Sequence, residues 1–168
     1  MILNRRLAAP ILLACGALLG CSKQPAATLA AASVISPCDI LAIKAQDVGG
    51  LLQAPITLST AVAGDAQSCA FLTTGFAAIT VSVRPGLGRA SLDAWLKGKM
   101  PLAVRTLGNV GDSAVWQDTL HEAIARQDDL LCDIQVRGGA EDIAVAVDSL
   151  PEALGALCNR IFAAHQVH

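Results

Sequence analysis

The first twenty residues decide which part of this chain folds and in what chemical surroundings. They contain two arginines, Arg5 and Arg6, followed by a run of apolar and small residues from Leu7 to Leu19. A positive segment followed by about a dozen apolar residues is typical of a secretory signal and is too short for a transmembrane helix. We therefore expect residues 1–20 to be removed on export, and the rest to fold in an oxidising compartment.

The end of this leader, Leu18-Leu19-Gly20-Cys21, resembles the lipobox of bacterial lipoproteins. In that family the cysteine thiol carries diacylglycerol, and cleavage just before it makes the cysteine the new amino terminus. The resemblance implies lipidation at Cys21 and anchoring in the cell envelope, where each buried CH₂ contributes about 0.8 kcal/mol. Ser22 implies the periplasmic face of the outer membrane if the source has two membranes. The alternative is an ordinary cleaved signal with an unmodified cysteine.

Length and charge indicate that the rest of the chain is one acidic domain. Removing residues 1–20 from 168 leaves 148, with residues 21–35 expected to be a flexible tether and 36–168 a single domain. Loss of Arg5 and Arg6 changes the net charge from −2 to −4, so no nucleic-acid partner is expected. Three Phe, two Trp and no Tyr disfavour binding to sugars or single strands by stacking.

The cysteines predict covalent cross-links. Cys15 belongs to the leader and Cys21 to the lipobox, which leaves four in the exported domain: Cys38, Cys69, Cys132 and Cys158. An even number in an oxidising compartment indicates two disulfides, although four cysteines allow three pairings. Four buried free thiols are the alternative. A zinc site needs a Cys-x-x-Cys pair or nearby histidines, which the sequence lacks.

Apolar spacing predicts helices at both ends of the domain. Ser36 and Asp39 mark a helix start, so one helix or two short ones are expected over 37–53. A final helix is expected after Ser149, with Glu152 completing a capping box. Its apolar stripe contains Leu150, Leu154, Leu157, Cys158, Ile161 and Phe162.

Short alternating runs between these helices predict β-strands. They are residues 56–62, 68–73, 76–84, 104–107, 114–117, 122–126 and 130–136. Ser91 is expected to cap a short helix that buries Leu92, Trp95 and Leu96. Residues 142–147 fit either a strand or a helix. Together these elements predict an α+β fold, an antiparallel β-sheet packed against N-terminal and C-terminal helices.

This arrangement favours one pairing of the four cysteines. Cys158 lies on the buried stripe of the final helix and Cys132 in the nearest long strand, so packing of helix on sheet would bring them within reach. Cys38 at the first helix then pairs with Cys69 in an early strand. We therefore expect the disulfides Cys38–Cys69 and Cys132–Cys158.

The domain also resembles a family of small uncharacterised lipoproteins best known from actinobacteria. The resemblance rests on Pro37-Cys38-Asp39-Ile40-Leu41, on Cys69, and on the turn Gly108-Asn109-Val110-Gly111-Asp112-Ser113-Ala114. It spans roughly residues 37–117. It implies the α+β fold and the first disulfide, and it implies no activity.

No residue pattern predicts a catalytic, metal or cofactor site. His121 beside Glu122 would suit a general base, but no nucleophile can be placed beside it. His165 and His168 are one helical turn apart at the end of the chain, where a solvated tail is the simpler explanation.

Two further groups of charged residues have simple structural explanations. Residues 84–89 contain two Arg and two Gly, which would suit an anion, but they follow a strand where a turn is expected. Asp128, Asp129 and Asp133 lack the spacing of a calcium-binding loop. A turn and an exposed strand face account for them.

Three classes of function therefore remain open. The first, which we favour, is a non-catalytic envelope module that binds or assembles with another envelope protein. The second is a carrier or sensor of a small apolar ligand, which requires a large apolar pocket. The third is a small hydrolase with a dispersed site around His121. The expected contact surface is the sheet face away from the helices, with Thr80, Ser82 and Arg84, and the loop 85–89.

Overall fold

The strands form where apolar and polar residues alternate, and they join into one sheet. The computed structural model describes residues 36–63, 65–87, 92–94, 97–98 and 104–166. All of these belong to one compact unit, Ser33–His168. The secretory signal, the lipobox and the tether to residue 35 lie outside the described residues.

The sheet contains seven antiparallel strands. They are β1 (Ile56–Val62), β2 (Asp65–Thr73), β3 (Ala78–Pro85), β4 (Val104–Leu107), β5 (Ser113–Gln117), β6 (Glu122–Gln127) and β7 (Leu130–Arg137). Their order across the sheet is β1-β2-β3-β7-β6-β5-β4. Two meanders, one of three strands and one of four, are therefore joined by the pairing of β3 with β7. The predicted antiparallel sheet is confirmed, and with the helices it makes the fold α+β.

The turn between β6 and β7 has the conformation that its residues favour. Asp128 adopts a left-handed backbone with φ of 52°, a conformation that Asp tolerates better than most residues. Its N–H donates to a carboxylate oxygen of Asp112 at 2.8 Å. The hairpin predicted across residues 127–129 is thus present.

Two short helices precede the sheet, α1 (Pro37–Ile40) and α2 (Ala45–Gly49). The hydroxyl of Ser36 accepts from the N–H of Cys38 at 3.3 Å, as expected of a residue at a helix start. The chain between the helices turns sharply at Ala42, which has φ of 54°. This turn divides the region into two short pieces.

The long C-terminal helix, α3 (Leu150–His165), buries the predicted apolar stripe. Its predicted capping box is wrong, because Ser149 makes no side-chain capping bond. Ser149 ends a preceding 3₁₀ turn, Val147–Ser149, and already has a helical backbone. A cap requires an extended residue whose side chain reaches back to the first free N–H groups.

Residues 142–147 form neither of the elements that their sequence fits. A 3₁₀ turn ends at Asp142, and Ile143 makes a single bridge with Leu52. The N–H of Gln53 donates to the carbonyl of Asp142 at 2.8 Å. This segment therefore ties the chain before α3 to the chain before β1.

The main core lies between one face of the sheet and the helices. On β3 it receives Ile79, Val81 and Val83, which face the buried stripe of α3 and residues of the N-terminal helices. The largest fully buried side chains are Trp116, Phe71 and Phe162. Burial of such side chains contributes roughly 1.5–3 kcal/mol each, so this layer supplies much of the stability.

A second, smaller cluster lies on the opposite face of the sheet. It contains Val115, Ile124 and Leu131, with Leu92 packed against them. Residues 92–94 and 97–98 are helical, as expected after Ser91, and Leu92 is buried. The predicted partners Trp95 and Leu96 lie outside the described residues. The segment after β3 thus returns across the sheet and covers part of its second face.

Two disulfides link the helices to the sheet. Cys38 at α1 is bonded to Cys69 in β2, and Cys132 in β7 is bonded to Cys158 in α3. The Cα atoms are 5.0 and 5.8 Å apart, within the range that a disulfide spans. These are the two pairs that the sequence predicts. Each lies inside the main core, where Cys69, Cys132 and Cys158 are fully buried.

Candidate functional site

The sheet face expected to be the contact surface is largely covered. Ser82 is only 6% exposed, and it accepts a hydrogen bond from the hydroxyl of Ser68 at 2.6 Å. Thr80 and Arg84 are half-buried. The prediction of an open polar face is therefore wrong at Ser82, whereas Thr80 and Arg84 are partly exposed. Alternation identified which side chains point away from α3, but it carried no information on the neighbouring side chains that meet them, such as Ser68 beside Ser82.

An exposed apolar side chain lies instead at the tip of the hairpin between β2 and β3. Phe76 is 100% exposed, and its neighbours Thr74 and Gly75 are also exposed. A large aromatic residue wholly in water loses the burial that normally stabilises the fold. An exposed side chain of this kind marks a candidate contact point.

The hairpin tip that carries Phe76 is held by one threonine. The Thr73 hydroxyl donates to the carbonyl of Ala77 at 2.9 Å and accepts from the N–H of Gly75 at 3.2 Å. The N–H of Thr73 also donates to the Ala77 carbonyl at 3.2 Å. Because both ends of the turn are tied to Thr73, the backbone that carries Phe76 is held in place.

Further apolar surface lies beside the tip. Leu58 in β1 is 54% exposed and is in register with the half-buried Leu72, which is in register with Ala78. These three residues form a row across β1, β2 and β3 at the Phe76 end of the sheet. We name this surface the apolar corner and define it as Leu58, Leu72, Phe76 and Ala78.

One basic residue borders the apolar corner. Arg137 is in register with Ala78 and is exposed, and its Nε donates to the side chain of Gln135 at 3.3 Å. An apolar centre with a polar or charged rim is the usual composition of a protein contact site.

Alternation along the strand contains a signal for the exposure of Phe76. Ile79, Val81 and Val83 point into the core, so strict alternation places residue 76 on the same side as Ala78 and Thr80. The strand predicted over residues 76–84 instead begins at Phe76. Phe76 can be identified as an aromatic residue that lies beside the turn glycine Gly75 and that alternation places on the side of the sheet away from the core.

The described residues form two clefts of similar volume. The first, of about 300 Å³, lies at the far end of the sheet, between Asp128, Asp129, Phe162 and His165. The second, of about 280 Å³, lies beside α1 and α2 and is lined by Cys38, Lys44 and Phe71 among others. Ligand pockets usually measure about 300–1,000 Å³. Neither cleft is the large apolar pocket that a carrier of apolar ligands requires.

His121 and Glu122 do not form a shared site. The ring of His121 stacks on Trp116 with centroids 6.2 Å apart, on the face covered by α3. Glu122 is in register with Gln117, and both are buried on the opposite face. His121 lines neither cleft. The arrangement therefore separates the two residues that a hydrolase would use together.

The other predicted charged groups have structural roles where the structure describes them. Asp112 accepts from the Arg126 guanidinium at 3.1 Å and orders the turn at Asp128. His165 Nδ1 lies 2.9 Å from the Ile161 carbonyl, and His168 is outside the described residues. Among the described residues, no three His, Cys, Asp or Glu side chains are grouped to bind a metal.

The loop that follows β3 is a turn, as expected. Gly86 has φ of +77°, and its N–H donates to the carbonyl of Asp129 at 3.0 Å. Leu87 is exposed, whereas residues 88 and 89 lie outside the described part of the chain.

Cys21, the predicted lipidation site, also lies outside the described residues. Within the part of the chain that the structure describes, no helix has both the length and the apolar character needed to cross a bilayer.

Comparison with known proteins adds no relative. No family profile, no curated protein and no solved structure matches this chain. The resemblances to lipoproteins stay predictions from the residues quoted above.

Proposed function

We propose that this protein is a lipid-anchored lipoprotein of the cell envelope that works by contact, as a non-catalytic binding or assembly module. The sequence Leu18-Leu19-Gly20-Cys21 supports the anchor. The observation that carries the contact role is Phe76, fully exposed at the tip of a hairpin fixed by Thr73. The partner is another envelope protein that buries the apolar corner.

The energetics of such a contact suit an anchored protein. Burial of one phenylalanine contributes about 1.5–3 kcal/mol, which alone corresponds to weak association. The fixed hairpin reduces the conformational entropy lost on binding. An acyl anchor at Cys21 would confine the protein to the surface where its partner lies, and so raise the effective concentration.

Photo-crosslinking in native membranes tests this function. A photoreactive phenylalanine analogue is placed at position 76 of the full-length chain, and trapped species are identified by mass spectrometry. We expect an adduct with an envelope protein. The same analogue at Asp129, exposed at the opposite end of the sheet, is the matched control and is expected to give no such adduct.

Two results would contradict the proposal. One is an analogue at position 76 that reacts only with lipid or with the protein itself. The other is turnover of an ester or peptide substrate that is lost on His121→Ala, which would place the protein among the hydrolases.

A further inference from the structure

The two outer strands of the sheet differ in charge and length. β4 has four residues, and its Arg105 pairs with Asp118 at 3.2 Å. β1 has seven residues, Ile-Thr-Leu-Ser-Thr-Ala-Val, none of them charged. Charged side chains on an edge strand obstruct pairing with another chain. β4 has such a charged residue, Arg105, and β1 has none.

The uncharged stretch extends well beyond β1. No charged residue occurs between Asp47 and Asp65. Within β1 itself, residues 57, 58, 59 and 61 are exposed and the other three are only partly buried. Such a run of β-branched, apolar and small residues has high β-propensity.

The backbone of β1 is paired on one side only. Its neighbour is β2, and among the described strands none pairs with its other side. Register shifts occur near both ends of β1, but the pairs from Leu58 to Ala61 are consecutive. This regular stretch presents outward N–H and C=O groups in the geometry that another strand requires.

We propose that β1 pairs antiparallel with β1 of a second copy of this chain and so continues the sheet across a two-fold axis. Centring the pairing on Ser59, the middle residue of the strand, places Ser59 opposite Ser59 of the second copy. Leu58 then lies opposite Thr60 of the second copy.

The absence of charge favours a second copy as the occupant. In an isologous contact each residue meets itself or its near neighbours, so any charge on the edge repels the same charge of the other copy. A strand of a different protein imposes no such condition, because its charges can be opposite. An edge without any charge between Asp47 and Asp65 satisfies the condition for self-pairing.

This inference is independent of the proposed function. The β1 edge shares Leu58 with the apolar corner, but Phe76 lies outside β1, so pairing of the two strands does not use the hairpin tip. Failure of the crosslink at position 76 would not affect the dimer, and a monomeric protein would not affect the crosslink.

Sedimentation of the full-length chain, extracted from membranes in mild detergent, tests the pairing. We expect a dimer that dissociates on dilution. Ser59→Lys and Ser59→Glu are each expected to weaken the dimer at least tenfold, because like charges then face each other. An equimolar mixture of the two variants is expected to restore it.

A matched control variant exists on the other edge. Thr106 in β4 is exposed, and Thr106→Lys is expected to leave the dimer unchanged. Circular dichroism establishes that each variant is folded. A wild-type chain that is monomeric at every concentration, a dimer that survives Ser59→Lys, or a mixture that stays monomeric would each overturn the proposal.

Discussion

Arg160 in α3 donates a hydrogen bond to Asp47 in α2 at 2.9 Å, linking two helices that lie 113 residues apart in sequence. The second carboxylate oxygen of Asp47 accepts the backbone N–H of Lys44 at 2.7 Å, at the start of α2. One carboxylate therefore both caps a short helix and ties it to the C-terminal helix. Helices of five residues are not stable alone, so α2 depends on such contacts.

The stability lost on replacing this carboxylate should depend on pH. The Lys44 N–H and then the Arg160 guanidinium lower the pKa of Asp47 below its ordinary 3.8. A lowered folded pKa means that the charge stabilises the fold above pH 3.8, and that this effect is lost as the pH falls through the folded value. We expect Asp47→Asn to cost about 1 kcal/mol at pH 7 and progressively less as the pH falls below 3.8, measured by urea unfolding.

Arg160→Gln is the companion to that variant. It removes the ion pair but leaves the bond from Lys44, so it should destabilise less than Asp47→Asn. Because the Arg160 side chain is more than half exposed, its loss should amount to at most about 1 kcal/mol. A gap between Asp47→Asn and wild type that is unchanged from pH 7 to pH 2.5 would contradict this account.

The disulfide between Cys132 and Cys158 should contribute strongly to stability. It closes a loop with a sequence separation of 26, for which the chain-entropy estimate is about 3.5 kcal/mol. The double variant Cys132→Ala, Cys158→Ala should lose at least that amount in denaturant unfolding, because it also leaves a cavity in the main core. The corresponding pair at Cys38 and Cys69 is the comparison, with a similar separation of 31.

Peptide mapping without reduction checks the pairing itself. Linked peptides carrying Cys38 with Cys69, and Cys132 with Cys158, are expected in protein isolated from the envelope. Four free thiols, or a crossed pairing, would contradict both the sequence argument and the fold.

Gly111 should tolerate no larger residue. Its φ is +51°, and a Cβ there would meet the backbone carbonyl of Arg126 and lie 3.0 Å from the ring of Phe162. Gly111→Ala should cost about 2 kcal/mol or more, through backbone strain and overpacking together. Gly108 in the same turn is a matched control, since a Cβ there meets nothing within 4 Å.

Thermal unfolding of both variants distinguishes these sites. Gly108→Ala should leave the melting temperature within a few degrees of wild type. A loss as large as that of Gly111→Ala would mean that the turn, and not the close approach to Arg126, is responsible.

Cys21→Ser should release the protein from membranes. Without the thiol there is no lipidation, and the remaining acidic domain carries no basic patch to hold anionic lipid. Fractionation in high salt distinguishes an acyl anchor from ionic attachment, because salt weakens ionic contacts but does not release acyl chains. A variant that still sediments with membranes would show that the anchor is not at this residue.

Local patterns were sufficient to predict much of this fold. Ile79, Val81 and Val83 alternate with polar residues, so β3 and its buried face could be identified without knowledge of its neighbours. The stripe of α3 placed Cys158 against the sheet, and that led to the correct partner Cys132. Such inferences succeed because strand and helix periodicity reflect the burial of one face. That pattern can be recognised from residues close together in sequence.

The features that sequence reasoning missed depend on distant parts of the chain. Ser82 is buried and hydrogen-bonded to Ser68 of the neighbouring strand, which no pattern within β3 indicates. Ser149 fails as a cap because the preceding turn already gives it a helical backbone. The pairing of β3 with β7 depends on tertiary packing, because the alternation in either strand is compatible with other neighbours.

The pairing of β3 with β7 also sets the order of events as the chain folds. Their closest paired residues, Pro85 and Leu130, are separated along the chain by the whole of β4, β5 and β6. The first three strands therefore have no central neighbour until β7 is available to pair with β3. Contacts this distant in sequence form slowly, and they leave strand edges open to other chains meanwhile. For a chain exported as its leader predicts, this topology means that the sheet is complete only after nearly all of the chain has crossed the membrane.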